Sequence, residues 1–305
     1  LEEIDLKTIE KFKKLAKDRV PDIVNEDNIE ELLRKLNLYD GNYLKRAAIL
    51  LFAKNPQQYY IQSHSKIGRF LSETDIQSSD IVEGNLINQV DMILDILRLK
   101  YLKAYISYEG VHRREKLEYP YEALREAIIN ALIHRDYTNT SNLQIRVYDD
   151  KLVLYNGATL NPEVPIEKFD KPHQSKPFNP TMASVFYKCG FIENWGKGTI
   201  NIINECLEYG LPKPTFEYEW EAVRTTFYKR VENEIIDVGV NVGVNVGVNE
   251  IYEYIKQNQP IRAKAISNHF SQITQRTIER YIKQLKDENK IEFRGIPKTG
   301  GYYAK

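Results

Sequence analysis

The stretch "EAIINALIHRDY", residues 126–137, restricts the fold more than any other part of the 305-residue sequence. At about 100° per residue, Glu126, Asn130 and His134 form one slowly drifting polar row, while Ala127, Ile128, Ile129, Ala131, Leu132 and Ile133 cover the rest of the circumference. A surface helix would carry a wide polar face rich in Lys and Glu; this one is apolar almost all round. It has to be covered on several sides, and its narrow polar row has to look into a cleft inside the protein. The length and the 42% apolar composition supply the core that such covering needs.

A second constraint is "VGVNVGVNVGVN" at 238–249, three copies of one tetrapeptide. Alternation with period two reads as a strand with every Val on one face. Gly and Asn weaken a strand, however, and three short copies are too few for a solenoid. Residues 233–249 are therefore read as a linker, either docked on a neighbour or a plain tether, between two domains. Ahead of it, residues 1–117 read as helices ("TIEKFKKLAK", "NIEELLRKL", "NYLKRAAILLFAK") with a small extended patch at "YYIQSHSKIGRFL" and a long helix from Asn85 towards Tyr105. Residues 118–232 have another plan. The polar-striped helix leads into "LQIRVYDDKLVLYN", a hairpin with Asp149 and Asp150 as turn residues. A Pro-rich loop at 161–180, a helix near 180–189, a second helix in "GFIENWGKGTINIINECLEYG" and a strand pair in "TFEYEWEAVRTTFYKRV" complete it. This is α+β: a sheet carrying helices on one face.

Several classes are excluded. The longest apolar runs, such as "AAILLFA" at 47–53, are far shorter than the roughly 20 residues of a membrane span. The acidic start "LEEIDLKTIE" is no signal peptide. The expected location is the cytoplasm, with no membrane partner. Cys189 and Cys206 are too few for a disulfide framework or a metal cluster. Net charge is zero overall, but residues 250–305 hold eleven Lys and Arg against six Asp and Glu. That surplus marks the C-terminal segment as the side for an anionic partner.

Chemistry concentrates between the striped helix and "NWGKGT". Glycines just ahead of a helix let backbone N–H groups approach phosphate, and the helix N-terminus adds a favourable field; Gly196 and Gly198 hold that place. With them, a carboxylate four residues from an amide supplies what metal-dependent nucleotide hydrolysis asks for. Glu126 can orient and deprotonate a water, and Asn130 can offer an oxygen to Mg²⁺ already held by phosphates. The alternative for the pair alone is an ion-pairing or capping detail. His134 either lines the cleft or is a structural histidine at the helix end.

These motifs resemble the GHKL (Bergerat-fold) ATPases, in the divergent branch found in RecG-related and AlbA/Schlafen-type regulators. "ALREAIINALIHRDY" is similar to that branch's signature helix, "LVLYNGATLNP" stands at its strand end, "GFIENWGKGTINII" resembles its glycine box, and "GNYLKRAAILLFAKNP" is similar to the stretch ahead of its ATP-binding fold. The resemblance implies a GHKL-like α/β sandwich over 118–232 that binds ATP or ADP with Mg²⁺. It implies Glu126 as general base, Asn130 as Mg²⁺ ligand, Gly196, Lys197 and Gly198 on phosphate, and Thr225 or Thr226 beneath the adenine. GHKL proteins use an Asp to accept the adenine amino hydrogen; here Asn156 stands there, with Gly157 next to it, and an Asn carbonyl oxygen accepts the same bond. The glycine box is short, so the expectation is nucleotide binding, with slow Mg-dependent hydrolysis left open. Relatives of this kind carry an AlbA-type domain ahead of the region, and residues 1–117 are expected to be the remnant on the C-terminal side of such a domain. A motor helicase needs G-x-x-x-x-G-K-[ST]. "GFIENWGKG" has one residue too many between its first two glycines and Gly198 in place of the hydroxyl residue, so no unwinding is expected.

Residues 250–305 read as three helices, "NEIYEYIKQNQP", "IRAKAISNHF" and "SQITQRTIERYIKQLKDENK", then a hairpin in "IEFRGIPKTGGYYAK". On the third helix Ile278, Tyr281, Ile282 and Leu285 should turn inward, leaving Gln275, Arg276, Arg280 and Lys283 outward. Arg294 and Lys298 on the hairpin are placed to reach backbone phosphate. The segment resembles a winged helix-turn-helix, which implies duplex DNA as partner; the alternative is a winged helix used for protein contact. Few phosphate contacts imply weak single-copy binding, so a homodimer is expected. The whole sequence thus reads as an ATP-binding transcriptional regulator, with a Mg-dependent ATPase of DNA metabolism as the alternative. Nucleotide would order the Pro-rich loop and change how the C-terminal domain is presented.

Overall fold

The computed structural model describes residues 1–109, 112–160, 164–172, 174, 176–193, 196–230, 248–270, 275–295 and 300–305. The chain divides into a unit of Leu1–Glu234 and a unit of Ile235–Lys305. The larger unit begins with α1 (Leu6–Ala16), α2 (Pro21–Val24), α3 (Ile29–Lys35) and α4 (Arg46–Phe52), succeeded by β1 (Ser65–Phe70), β2 (Ile76–Val82) and α5 (Leu86–Ile96). Next come β3 (Ala104–Glu109), β4 (His112–Leu117), α6 (Tyr121–His134), β5 (Leu143–Val147) and β6 (Lys151–Gly157). It closes with α7 (Pro180–Lys188), α8 (Gly198–Glu208), β7 (Thr215–Glu219) and β8 (Ala222–Tyr228).

Polar caps fix where several helices start. Asp5 accepts from the Lys7 amide ahead of α1, Asn28 from Glu30 and Glu31 ahead of α3, and Asn85 from Asn88 ahead of α5. Each satisfies donors that a helix cannot satisfy itself. The helix expected from Asn85 towards Tyr105 gives way after Ile96 to one wide turn, Leu97–Tyr101, and Ala104 already opens β3. Tyr101 fixes that turn by donating its hydroxyl to Asp80 on β2. The extended patch expected at 59–71 is shorter in fact, because Pro56–Gln58 and Ile61–Ser63 form single helical turns before β1 begins.

Six strands form the main sheet in the order β2-β1-β5-β6-β8-β7. β1 and β5 run parallel and the other neighbours antiparallel. β1 and β2 come from the N-terminal segment, so the boundary expected at 117/118 falls inside this unit, between β4 and α6. The hairpin expected between β5 and β6 is present: Tyr148 N–H donates to the Lys151 carbonyl at 2.8 Å, and Asp149 pairs with Arg69. β5 alternates, with Leu143, Ile145 and Val147 buried and Gln144 and Arg146 half-buried. Its buried face joins α6 in one core with α1, α3, α4, α5, α7 and α8. Arg146 lies over the rings of Tyr155 and Phe70.

α6 buries eight of its 14 residues. It ends where Arg135, fully buried, turns extended and donates to the Gln62, His64 and Ser141 carbonyls. Asn179 donates to the Ile133 and Arg135 carbonyls at 2.7 and 2.8 Å, satisfying the open end of the helix. Arg135 is thus structural, and Asp136 is occupied by the Thr138 amide and hydroxyl.

The smaller unit contains α9 (Val248–Gln257), α10 (Ala263–His269) and α11 (Gln275–Asp287), then the antiparallel pair β9 (Ile291–Arg294) and β10 (Gly301–Ala304). Ile278, Ile282 and Leu285 on α11 are buried with Ile251, Ile255, Ile266 and Ile291, and Tyr281 packs against them, which is the expected inward face. Most of the Val-Gly-Val-Asn repeat lies outside the described residues; its last Val-Asn pair opens α9. Among the described residues no helix is long and apolar enough to cross a membrane.

Candidate functional site

The polar row of α6 does open onto a cleft. A cavity of about 550 Å³ lies between α6, the start of α8, the strands β6 and β8, and the loop from 158 to 178. That volume is within the range of about 300–1,000 Å³ common for small-molecule sites. Glu126, Asn130, His134, Asn156, Gly196, Gly198 and Thr225, separated by up to a hundred residues, all line it. α6 and α8 bring the acid, the amide and the glycine turn together, and the pleat of the sheet brings Asn156 and Thr225.

On α6, Asn130 Nδ2 donates to Glu126 Oε1 at 3.1 Å. The bond holds the amide so that its carbonyl oxygen is left for another partner. Burial pushes the Glu126 carboxyl up, against the opposing effect of the Asn130 bond. A carboxyl raised in this way, in a cleft, is a candidate for proton transfer. The start of α8 lies against this pair. A Cβ built at Gly198 would stand 2.3 Å from Glu126 Oε1 and 2.8 Å from Asn130 Nδ2, so any larger residue there displaces the ends of these two side chains. The cap residue Lys197 gives no side-chain bond to the first turn of α8, and that turn carries no acidic side chain. The carboxylate that lies against the start of α8 is therefore that of Glu126, from the facing helix, and none comes from the turn itself.

The opposite wall is the sheet. Asn156 is 5% exposed and its Oδ1 has no hydrogen-bond partner. Such an acceptor, out of water and unpaired, costs about 1–3 kcal/mol. Thr225, on the neighbouring strand, pairs across from Leu154, and Asn156 from Val223; all four side chains face the cleft. Thr226 is the next residue along the pleat and faces away from the cleft. Lys197 is exposed and does not line the cavity. Gly157 sits under the 139–141 turn, where a Cβ would come within 2.5 Å of Ser141 Oγ.

Thr199 is a cleft residue that sequence reasoning misses. It lines the cleft from the first turn of α8, and its buried hydroxyl, like Asn156 Oδ1, has no partner. The signal is the hydroxyl residue directly after "GKG". Phe169, Lys176 and Phe178 of the Pro-rich loop also line the cavity. Gly190, the first glycine of the near Walker pattern, has φ +73° and ends α7, so it belongs to a helix stop rather than to a phosphate loop. The two cysteines are buried and free, and burial pushes each thiol up to about 12, which removes them as nucleophiles. Among the described residues no cluster of His, Cys, Asp and Glu could hold a metal on its own.

Residues 140–227 match the family model described as "Putative ATP-dependent DNA helicase recG C-terminal". That match supports an ATPase-like family for this part of the chain. It covers Asn156, the glycine turn and Thr225 but begins after α6. The fold is similar to the crystal structure of the DIP2311 protein from Corynebacterium diphtheriae, with a TM-score of 0.61 at 18% sequence identity. The alignment covers 93% of this chain and 57% of that one, so the chain spans little more than half the length of the protein it matches. No curated protein matches the sequence.

On the C-terminal unit, Lys283 is exposed on α11, and Arg294 on β9 is exposed but paired with Glu292 and stacked over the Tyr303 ring. Lys298 and the side chains of Gln275, Arg276 and Arg280 lie outside the described residues.

Proposed function

We propose that the cleft binds an adenine nucleotide, with its base against Asn156 and Thr225 and its phosphates at the start of α8. The observation that carries this reading is the pair of buried, unpartnered polar atoms, Asn156 Oδ1 and Thr199 Oγ1, lining one cavity together with Glu126 and Asn130. An amino group of adenine gives Asn156 Oδ1 the donor it lacks. A phosphate gives Thr199 Oγ1 the partner it lacks, beside a helix start that favours an anion.

The donor set also fits Mg²⁺. This ion keeps several waters and takes one or two protein oxygens plus phosphate, so a single amide oxygen beside a carboxylate is sufficient. Asn130 Oδ1 would hold it, and the ion would neutralise developing charge on the phosphates. Glu126, above its ordinary carboxylate range and held by Asn130, would take the proton from an attacking water. Lys197 comes directly after Gly196 and reaches phosphate only from the rim; Gly157 and Thr226 support the base-binding strands from outside the cavity.

In the C-terminal unit the reading is a winged helix that binds duplex DNA, with Gln275, Arg276, Arg280 and Lys283 of α11 in the major groove and Arg294 and Lys298 on the backbone. The helix order, the buried Ile278-Ile282-Leu285 stripe and the surplus of basic residues in 250–305 support it. The protein is then a nucleotide-responsive transcriptional regulator of the cytoplasm, acting as a homodimer. The second reading, a Mg-dependent ATPase of DNA metabolism, is favoured by the Glu126–Asn130 pair itself. Calorimetric titration of Mg-ATP and Mg-ADP, with phosphate release measured in parallel, tests both. Saturable binding that Asn130→Ala weakens supports the nucleotide site. Phosphate release lost in Glu126→Ala while binding persists selects the ATPase, and no binding by the unaltered chain refutes both.

A further inference from the structure

The loop that carries the glycine turn is held from outside the site. Arg19 lies just beyond α1, and its Nη1 donates to the Tyr187 carbonyl at 2.9 Å and to the Ile192 carbonyl at 3.3 Å. Its Nη2 pairs with the Glu193 carboxylate, and its guanidinium lies 4.8 Å from the centre of the Tyr187 ring. These partners span the end of α7 and the start of the loop to α8. Ile192 and Glu193 line the cleft, and Gly196 comes three residues later. One planar cation thus holds the last turn of α7 and the root of the loop across more than 160 residues of sequence.

Arg19 stands on a firm base. Its own N–H donates to the Ala16 carbonyl, and Ile9, Phe12 and Ala16 of α1 are completely buried. The ion pair with Glu193 is exposed enough to contribute little by itself. The two carbonyl bonds matter more: both leave Nη1 and complement the negative end of α7, while the planar group stacks on Tyr187 and leaves Nη2 to Glu193. Lysine has one ammonium and no planar group to stack while it holds these partners.

We propose that Arg19 is a positioning residue for nucleotide binding: it holds Tyr187–Glu193, ahead of the glycine turn, in the binding-competent arrangement and links the cleft to the N-terminal helices. The inference rests on the nucleotide reading of the cleft. It predicts that an N-terminal segment pulled or pushed at α1 changes nucleotide affinity without touching the ligand.

The test uses the full chain with Mg-ADP as probe. If removing Arg19 leaves the loop competent about a tenth of the time, the apparent Kd of Arg19→Ala rises about tenfold. Arg19→Lys should fall between. Amide exchange at residues 187–199 should speed up in Arg19→Ala, while exchange in β5 and β6 stays unchanged. Unchanged affinity and unchanged exchange in a folded Arg19→Ala chain overturn the proposal. Exchange that rises throughout the unit, with affinity lost only in proportion to unfolding, overturns it too, because that is a purely structural role. If the unaltered chain binds no Mg-ADP, the nucleotide reading fails instead, and the two failures are distinct.

Discussion

Replacing Gly198 with alanine separates stability from function more sharply than any other change in the cleft. A Cβ there would stand 2.3 Å from Glu126 Oε1 and 2.8 Å from Asn130 Nδ2. Ordinary contact for a carbon atom begins near about 3.5 Å, so the carboxylate has to retreat by about 1 Å. The bond between Glu126 and Asn130, worth about 1 kcal/mol net, is strained or lost. Crowding of this kind costs about 1–3 kcal/mol, whereas exchanging Gly for Ala in a helix returns up to about 1 kcal/mol. The net loss is therefore about 0–2 kcal/mol, a fall in melting temperature of no more than about 8 °C for a unit of this size. The chemistry has no such compensation. A displacement of about 1 Å in a catalytic group costs about a hundredfold in rate. Gly198→Ala should thus melt close to the unaltered protein, bind Mg-ADP more weakly, and lose nearly all phosphate release. Thermal melting, calorimetry and a phosphate assay on the same preparation decide the matter. A folded variant that binds and turns over nucleotide like the original would refute the placement of phosphates beside Glu126 and Asn130.

Asn156→Leu removes an acceptor that is buried without a partner, so the free protein should be as stable as before or gain up to about 2 kcal/mol by denaturant unfolding, while nucleotide affinity is lost. A variant that still binds Mg-ADP normally would show that the base sits elsewhere. The Glu126 carboxyl is raised above its ordinary value of 4.5 by burial. The folded chain therefore keeps the proton where the unfolded chain has lost it, and stability declines as pH rises from 4.5 through the raised folded value, then levels off. Urea unfolding of Glu126→Gln across that window should lack this decline, and a parallel pH dependence in the two proteins would contradict it. In the C-terminal unit, Lys283→Ala and Arg294→Ala should each lower the slope of log affinity against log salt for duplex DNA by about one. Arg294 starts from a pair with Glu292, so its change should be the smaller; slopes unaltered by both would remove these residues from the interface.

The site is legible in the sequence where its signals are local. Glu126 and Asn130 stand out because an otherwise apolar helix turn tolerates polar groups only towards a cleft, and Gly196 and Gly198 because glycine ahead of a helix is a local cue. Thr225 can be told from Thr226 only with the register of β6 and β8, which pairs Leu154 with Thr225. β1 and β2 escape assignment to the sheet, because the pairing of Ile67 with Ile145 joins residues far apart in sequence and leaves no periodic trace in either strand. Arg19 is invisible for the same reason: its partners are backbone carbonyls of Tyr187 and Ile192, and any residue type supplies a carbonyl. The unpartnered state of Asn156 Oδ1 is likewise a property of its surroundings, not of the residue.

Diffraction from crystals grown with Mg²⁺ and a non-hydrolysable ATP analogue tests the central claim most directly. The account predicts the base amino group on Asn156 Oδ1, the ion on Asn130 Oδ1, and the terminal phosphate between Glu126, Thr199 and the first N–H groups of α8. Analogue bound outside this cavity, or density for the base at the α8 end and for phosphates at Asn156, would contradict it.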